Sequence, residues 1–270
     1  MKKLVAGILT GVLALSLAAC GSGGKSDDKL VIGAANVPHS KILEKAAPLL
    51  EKEGIELDIQ TYQDFVLPNQ DLKNGDLDAN YFQHIPYLEL ENKKKNYDFV
   101  NVGGVHIEPI GIYSKKYKKL EDLPEGATIL LSNSVADHGR MLSLLEAKGL
   151  ITLKEGIDKT AAEIKDITKN PKNLKFDANT APEMLVQMYK NNEGDAVLIN
   201  SNFAIDADIN PLEDSIALED KESVYVNVIA VRKEDENDKA IKKLVEVLRS
   251  EEIQDYILKE WKGSVVPVSE

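Results

Sequence analysis

The feature that most limits the fold is an alternation of strand-like and helix-like segments along the chain. Residues 29–35 form a short apolar run, and residues 41–53 carry apolar side chains at helical spacing. An alternating segment at 55–59 indicates the next strand. Such alternation is typical of a parallel α/β sheet whose helices cover its faces.

The same pattern restarts near residue 114, which predicts a second α/β unit. Residues 127–131 and 195–199 are apolar strands, each followed by polar residues. Long strands at 106–113 and 224–231 are predicted to cross between the two units. Because ligands bind beyond the carboxyl ends of strands in such sheets, we expect a ligand cleft between two lobes.

Three local expectations bear on that cleft. A separate strand is expected at 97–103, before the strand at 106–113. Residues 132–139 are expected to form a polar loop that follows the strand at 127–131. A helix is then expected to begin at Arg140.

The first 28 residues differ in composition from the rest. Residues 1–19 have a basic start, a short apolar middle and a small-residue end, which is typical of a signal peptide. The apolar run is shorter than the roughly 20 residues that span a bilayer. The ending Leu17-Ala18-Ala19-Cys20 resembles a bacterial lipobox, whose cysteine is diacylated, and residues 20–28 have the Gly/Ser-rich composition of a flexible tether. An ordinary signal peptide with an incidental cysteine is the alternative.

Charge and cysteine content exclude several classes of protein. Cys20 is the only cysteine, so an internal disulfide cannot form. The formal net charge is −12, and removal of the leader with its Lys2 and Lys3 makes it −14. So acidic a chain is not expected to bind nucleic acid. We expect a lipid-anchored protein at the outer face of the cytoplasmic membrane.

Arginine is rare in this chain, since only Arg140, Arg232 and Arg249 stand among 33 basic residues. A guanidinium binds a planar carboxylate through two parallel hydrogen bonds, which lysine cannot do. Arg140 lies at the predicted start of a helix, where backbone N–H groups also favour an anion. We therefore predict that Arg140 clamps a carboxylate; a structural salt bridge is the alternative. Arg232 and Arg249 lie in charged segments and are expected at the surface.

Three asparagines are candidates for binding an ammonium group. Asn200 and Asn202 follow an apolar strand, and Asn227 lies within another. A polar side chain in such a strand needs hydrogen-bond partners, and an amide oxygen can accept from an ammonium. Local turn bonding is the alternative for at least one of them.

Aromatic residues near the predicted strand ends are candidates to enclose an apolar ligand group. Phe65, Tyr81, Phe82 and Tyr87 lie on or near loops at these ends. Pockets for small molecules are lined mainly by such side chains. Each of them taken singly is also typical of a core.

Histidine spacing gives no metal motif. No pair among His39, His84, His106 and His138 has helical i, i+4 spacing, and none lies near a cysteine. We predict no metal; a zinc site from three histidines that converge in space is the alternative. His84 follows Phe82 closely and is a candidate for the pocket.

No catalytic motif was found in the mature body. It has no Gly-X-Ser-X-Gly elbow, no phosphate-binding Gly-Lys-Ser/Thr loop and no cysteine. The sequence therefore predicts neither enzymatic activity nor a cofactor.

Residues 75–88, Gly-Asp-Leu-Asp-Ala-Asn-Tyr-Phe-Gln-His-Ile-Pro-Tyr-Leu, resemble the signature of methionine-binding lipoproteins of ABC uptake systems. The segments 108–114, 170–174, 227–232 and 263–267 are similar to that family as well. The resemblance implies a two-lobed periplasmic-binding-protein fold of type II that closes on its ligand. It further implies delivery of methionine to a permease and an ATPase.

The resemblance also implies roles for individual residues. The family's carboxylate-binding arginine falls on Arg140, and its amino-binding asparagines fall on Asn200 or Asn202 and on Asn227. The residues around the thioether fall on Phe65, Phe82 and His84. Phe65 stands where many relatives have tyrosine, and residues 133–139 depart from the usual loop before the arginine. The choice among L-methionine, D-methionine and methionine dipeptides stays open.

The predicted organisation is therefore a signal peptide at 1–19, a lipidated tether at 20–28, one lobe from 29–110 plus 228–270, and a second lobe from 111–227. A metal-ion receptor that uses histidines is the alternative from a neighbouring class. An enzyme on the same scaffold is another, because a fold does not fix a function. An additional adhesin role stays open.

Overall fold

The computed structural model describes residues 29–221 and 223–268, so the predicted signal peptide, Cys20 and tether lie outside the described residues. In chain order the strands are β1 (Lys29–Ala35), β2 (Glu56–Tyr62), β3 (Ala79–His84), β4 (Phe99–Ile107), β5 (Gly111–Tyr113), β6 (Thr128–Ser132), β7 (Thr152–Leu153), β8 (Ile167–Lys169), β9 (Lys175–Thr180), β10 (Ala196–Ile199), β11 (Ser215–Leu218), β12 (Val226–Arg232) and β13 (Val266–Pro267). The α-helices are α1 (Lys41–Glu51), α2 (Leu67–Asn74), α3 (Ile85–Lys95), α4 (Val135–Ala147), α5 (Leu185–Lys190), α6 (Ser201–Asp206), α7 (Pro211–Asp214), α8 (Lys239–Leu248) and α9 (Glu251–Trp261).

The first sheet has six strands in the order β13-β4-β12-β3-β1-β2. β1 pairs in parallel with β2 and β3, whereas β12 lies antiparallel between β3 and β4. The expectation of an all-parallel sheet is therefore wrong here, because apolar periodicity does not record the direction of a strand. Helices α1, α8 and α9 bury their apolar faces, including Ile42, Leu244 and Ile257, in one core on this sheet.

The second sheet has five strands in the order β11-β5-β10-β6-β9. β6 is parallel to β9 and β10, and β5 is antiparallel to β10 and β11. A separate core, which includes Ile129, Leu145 and Leu198, packs between this sheet and α4. Two sheets with their own cores make two lobes, and the predicted two-lobed α/β fold is confirmed.

The chain passes between the two sheets twice. The first crossing (residues 108–110) joins β4 to β5, and the second crossing joins β11 to β12. The expected separate strands at 97–103 and 106–113 are wrong: β4 runs without a break to Ile107, and the ladder stops before Pro109. Proline has no N–H to donate to a ladder, which explains the position of the break.

Helix α4 begins earlier than expected. It starts at Val135, so the predicted polar loop at 132–139 is wrong from that residue onward. Ser134 has an extended backbone before the helix, and its carbonyl accepts from the N–H of Asp137 at 3.0 Å. A Cβ at Gly139 would lie 2.3 Å from the backbone oxygen of Lys159, so this helix packs unusually close to a neighbouring turn.

A buried amide cluster fixes the first turn of α2. Asn69 accepts from Asn80 Nδ2 at 2.8 Å and from Gln83 Nε2 at 2.9 Å, and donates to Gln83 Oε1 at 3.0 Å. Asn80 also donates to the carbonyl of Pro68 at 3.2 Å. Two polar residues of the 75–88 signature therefore hold the fold together beside the pocket.

The expectation that Arg232 lies at the surface is wrong. Its side chain is buried and donates to the carbonyl oxygens of Leu72 and Leu77 at 2.7 and 2.5 Å. Asp235 pairs with the same guanidinium at 2.6 Å. Arg249 is half-buried and donates to the carbonyl of Gly104 at 2.8 Å.

Candidate ligand-binding site

A pocket between the lobes brings together all seven residues that the sequence predicts for the site. It comprises about 410 Å³ of space, its open mouth included, and is lined by His39, Phe65, Phe82, Gln83, His84, Tyr87, Glu108, Asp137, Arg140, Asn200, Ser201, Asn202 and Asn227. We name two sides of it. The aromatic wall consists of Phe65, Phe82 and Tyr87, and the polar wall consists of Asp137, Arg140, Asn200 and Asn202.

The aromatic wall belongs to the first lobe. Phe65 precedes α2, Phe82 lies in β3, and their ring centroids are 6.1 Å apart. Tyr87, in the first turn of α3, donates its hydroxyl to the Phe65 carbonyl at 2.7 Å and thereby fixes that loop. From the second lobe Phe203 packs on Phe65 with ring centroids 4.8 Å apart. The lobes therefore already touch across the aromatic end of the pocket.

Arg140 projects from α4 towards both crossings. Its Nε and Nη2 donate to the same oxygen of Glu219, at 2.9 and 2.5 Å, and Nη2 also donates to the carbonyl of Glu108. The ring of Tyr225 lies against the guanidinium, 4.8 Å from its central carbon. Burial alone would lower the pKa of Arg140, but the Glu219 carboxylate outweighs it and raises the pKa. The predicted clamp thus stays charged and is already in a partly buried salt bridge.

His84 links the aromatic wall to the polar wall. Its Nδ1 accepts from the backbone N–H of Tyr87 at 3.1 Å, so Nε2 carries the proton and donates to Asp137 Oδ1 at 3.2 Å. Asn200 Nδ2 lies 3.4 Å from the other oxygen of Asp137. Burial alone would raise the pKa of Asp137, but the hydrogen bond from His84 and the positive charge of Arg140 outweigh it and lower the pKa. Asp137 is therefore a well-compensated carboxylate.

A second buried cluster surrounds Glu108, in the first crossing. His106 Nε2 lies 2.7 Å from Glu108 Oε1, and the Nδ1 of the same ring bonds the hydroxyl of Tyr81. His39 Nε2 lies 3.3 Å from Glu108 Oε1 and 3.0 Å from Asn227 Oδ1. Because both of these oxygens accept, His39 Nε2 carries the proton. Tyr81 therefore belongs to this cluster and not to the aromatic wall.

Burial sets the protonation of this cluster. It lowers the pKa of His39 to about 4 and that of His106 to about 3, so both rings are neutral near pH 7. Burial also raises the pKa of Glu108, against the attraction of His39 and Arg140. The cluster accordingly surrounds a carboxylate with neutral hydrogen-bond donors.

His39, His106 and Glu108 are the one group in the described part of the chain with the donors for a metal site. Their ligand atoms lie within 4.8 Å of one another, in the chemistry of a His₂-carboxylate set. These atoms are joined by hydrogen bonds to one another and to Asn227. The predicted alternative of three converging histidines does not form: His84 pairs with a carboxylate, and His138 bonds a backbone carbonyl at 2.8 Å.

Sequence reasoning missed seven residues that line or contact this pocket, among them Gln83 and Ser201. Glu108 and Asp137 are buried carboxylates, and His39 pairs with one of them. The sequence could have identified Glu108, because it is an acidic residue that directly follows an apolar strand. It could have identified Asp137 as well, since Asp137 lies one helical turn before Arg140. Phe203 and Tyr225 complete the aromatic contacts and carry no comparable signal.

Two α/β lobes that enclose a pocket with a polar and an aromatic side define a solute-binding protein. Residues 30–269 match the NlpA lipoprotein family, and the chain belongs to that family. The methionine-binding lipoprotein MetQ of Bacillus subtilis is 51% identical over 275 residues, covering 100% of each chain. The predicted family resemblance is confirmed.

Solved structures have the same fold. A pheromone cOB1 precursor/lipoprotein of the YaeC family from Enterococcus faecalis is 57% identical with a TM-score of 0.87, over 89% of this chain and 100% of that chain. A nutrient-binding protein from Burkholderia cenocepacia, bound to methionine, is 39% identical with a TM-score of 0.83, over 88% of this chain and 99% of that chain. None of the helices in the described residues has the length and apolar character to cross a bilayer.

Proposed function

We propose that this chain is the substrate-binding lipoprotein of an ABC importer, which binds methionine and delivers it to a permease and an ATPase. The name of the Bacillus subtilis relative and the methionine in the Burkholderia cenocepacia structure support this ligand. The protein acts by binding and release, not as an enzyme. The alternative of a histidine-based metal receptor has no such support among the relatives.

The observation that carries the proposal is the two-sided chemistry of the pocket. The aromatic wall suits the thioether side chain, because sulfur and apolar carbon both pack well on aromatic rings. Among the described residues, the hydrogen bonds from Arg140 use Nε and Nη2, which leaves Nη1 for the ligand carboxylate. His84 stands between the two sides and contacts the start of the side chain.

The asparagines are assigned to the amino group. Asn200 Oδ1 is buried and has no hydrogen-bond partner among the described residues, so it is ready to accept from a ligand N–H. Asn202 and Asn227 line the same pocket. These groups suit L-methionine, and D-methionine or a methionine dipeptide remains within the same proposal.

The proposed anchor is a lipid on Cys20, at the outer face of the cytoplasmic membrane. Residues 20–28 would tether a body whose lobes are built from 29–110 plus 228–270 and from 111–227. Two acyl chains hold a protein stably at a membrane where one holds it weakly. A Cys20→Ser variant should leave the membrane fraction while its ligand affinity is unchanged. Retention of this variant in the membrane fraction would contradict the anchor.

Calorimetry with L-methionine tests the ligand. The full-length protein in detergent should give a saturable heat, and mass spectrometry should find methionine carried through a mild purification. Zinc chloride and L-leucine serve as controls for the metal and for a general amino-acid site. The absence of binding up to about 1 mM L-methionine, weaker than roughly −4 kcal/mol, would contradict the proposal.

A further inference from the structure

Two buried carboxylates, Glu108 and Asp137, line the polar end of the pocket, and the half-buried Glu219 lies beside it. The three are not compensated alike. Glu219 pairs with the guanidinium of Arg140 at 2.5 Å. Asp137 accepts from His84 and from the amide of Asn200. Glu108 differs, because both of its side-chain donors, His106 and His39, contact the same oxygen, Oε1, and burial keeps both rings neutral.

The Glu108 carboxylate is nevertheless placed for contact with a ligand. Its residue is 5% exposed and lines the pocket together with Asn227 and Asn202. Its Oε1 is held by His106 at 2.7 Å and by His39 at 3.3 Å, and the backbone N–H of Asn202 also donates to the carboxylate. These donors fix the orientation of the carboxylate without supplying a positive charge.

A buried carboxylate surrounded by neutral donors attracts a cation that enters the same pocket. A metal ion would have to replace the hydrogen bonds that now join His39, His106 and Glu108 to one another. An ammonium needs no such rearrangement, because it donates to oxygen atoms that keep their present partners. The unpartnered Asn200 Oδ1 supplies a further acceptor in the same pocket.

We propose that Glu108 is the counter-charge for the ligand's ammonium group and restricts the site to ligands with a free amino group. This inference rests on the proposed function and deepens it. Arg140 and Glu108 then bind the two charged ends of one amino acid, while the asparagines supply neutral hydrogen bonds. A dipeptide would be accepted only if its free N-terminal amine reached Glu108, and an N-acetylated ligand would be rejected.

The test compares Glu108→Gln with the wild type on two ligands, L-methionine and 4-(methylsulfanyl)butanoate, which lacks only the amino group. Removing one partner of a buried charge pair typically weakens binding about 100-fold. We expect the wild type to prefer methionine by at least about 100-fold, and Glu108→Gln to reduce that preference below about 10-fold. Asp137→Asn removes the same charge from the same pocket and tests whether Asp137 is the counter-charge instead. Asp206→Asn removes a carboxylate outside the pocket lining and is the control, which should keep the preference.

Several outcomes would overturn the inference. Glu108→Gln with an unchanged preference would do so, as would Asp137→Asn if it alone abolished the preference. Stoichiometric zinc in the purified wild type that Glu108→Gln loses would assign the carboxylate to a metal instead. A wild type that binds neither ligand overturns the proposed function itself, and the inference with it.

Two further measurements guard against a variant that does not fold. Thermal unfolding of Glu108→Gln shows whether its lost affinity comes from a lost fold. If that variant is unfolded, the wild type alone decides through L-methionine and N-acetyl-L-methionine. Equal affinity for the two would overturn the inference, and a loss of about 100-fold or more on acetylation would support it.

Discussion

The two walls of the pocket are built in different ways. The aromatic wall comes from the first lobe, where Phe65 is fixed by the hydroxyl of Tyr87 and Phe82 lies in a fully buried strand. The polar wall comes from the second lobe, where Arg140 projects from the second turn of α4 and Asn200 directly precedes α6. A helix start that follows a strand is a natural position for a polar residue such as Asn200, because the backbone donors there favour an acceptor.

The comparison indicates that one wall recognises the ligand by apolar packing and the other by charge. The aromatic wall depends on packing, so its loss should reduce affinity in proportion to lost contact area. The polar wall depends on buried charges that compensate one another, so removal of one group leaves another unpaired. The predictions below test this contrast.

The largest effect is expected for Arg140→Ala. It leaves the half-buried Glu219 carboxylate without its partner and removes the proposed contact with the ligand carboxylate, which should cost about 2–3 kcal/mol of stability and about 3 kcal/mol of methionine affinity. Urea unfolding and calorimetry measure the two effects. Arg232→Ala is the matched control, because Arg232 is also buried but lies away from the pocket lining. Arg232→Ala should lose stability and keep its methionine affinity. If Arg140→Ala bound methionine within threefold of the wild-type affinity, Arg140 would not be the clamp.

The next effect is a loss of stability in acid. His39 and His106 take up protons in the unfolded chain near pH 6.5 but in the folded chain only near about 4 and 3. Their stabilisation is thus complete above pH 6.5 and declines as the pH falls towards 4. Because the pKa of Glu108 is raised in the folded protein, this group binds at most one proton more in the folded than in the unfolded state, which partly offsets the loss of stability. The free energy of unfolding should therefore fall by at least about 1.4 kcal/mol per pH unit within that window.

Urea unfolding at pH 7.5, 6, 5 and 4.5 measures this slope. His106→Gln should flatten it by about one proton, because the variant no longer has a buried ring that must stay neutral. His138→Gln is the control, since His138 is not in the cluster around Glu108. An equal slope for the wild type and His106→Gln would show that the cluster does not control acid stability.

A smaller effect is expected on the aromatic wall. Phe65 is half-buried, and Phe65→Ala should weaken methionine binding by about 1–2 kcal/mol through lost packing. Its effect on unfolding should be slight. Phe65→Tyr keeps the ring and should bind methionine within about 0.5 kcal/mol of the wild type. If Phe65→Ala bound methionine as well as the wild type, the thioether would have to lie elsewhere.

The smallest effect concerns a polar contact between the lobes at the surface. Asn36 Nδ2 donates to Asp206 Oδ1 at 2.6 Å in an exposed position. Water competes for both groups, so Asp206→Ala should change methionine affinity by no more than about 0.5 kcal/mol. Calorimetry measures this change. A loss above about 2 kcal/mol would mean that this contact, and not the pocket, holds the lobes together.

The sequence predicted the general fold and gathered the site, but not the contacts within it. The α/β alternation predicted two lobes, and the 75–88 signature identified the family. The rarity of arginine pointed correctly to the pocket for Arg140, whereas Arg232 lay in charged sequence and was wrongly placed at the surface. Its partners are the carbonyls of Leu72 and Leu77, which no side-chain pattern encodes.

Long separation in sequence explains the other omissions. Glu108 meets His39 across 69 positions, and Arg140 meets Glu219 across 79. Neither pair has a local spacing rule, unlike residues on one helix face. Strand direction was also hidden, since β12 enters the first sheet from the other lobe and inverts the expected order.

The bonds of Arg140 to both crossings have a mechanical consequence. If the cleft opens, the lobes must rotate about the first and second crossings. The Arg140 guanidinium donates to Glu108 in the first crossing and to Glu219, which directly follows β11 at the start of the second crossing. Arg140 thus lies at the pivot, where a rotation displaces atoms least. Phe65 and Phe203 lie in neither crossing, so a rotation of the lobes displaces these two rings more than it displaces Arg140. A ligand would therefore contact Arg140 whether the lobes are open or closed, whereas its apolar side chain would be enclosed only when Phe65 and Phe203 come together.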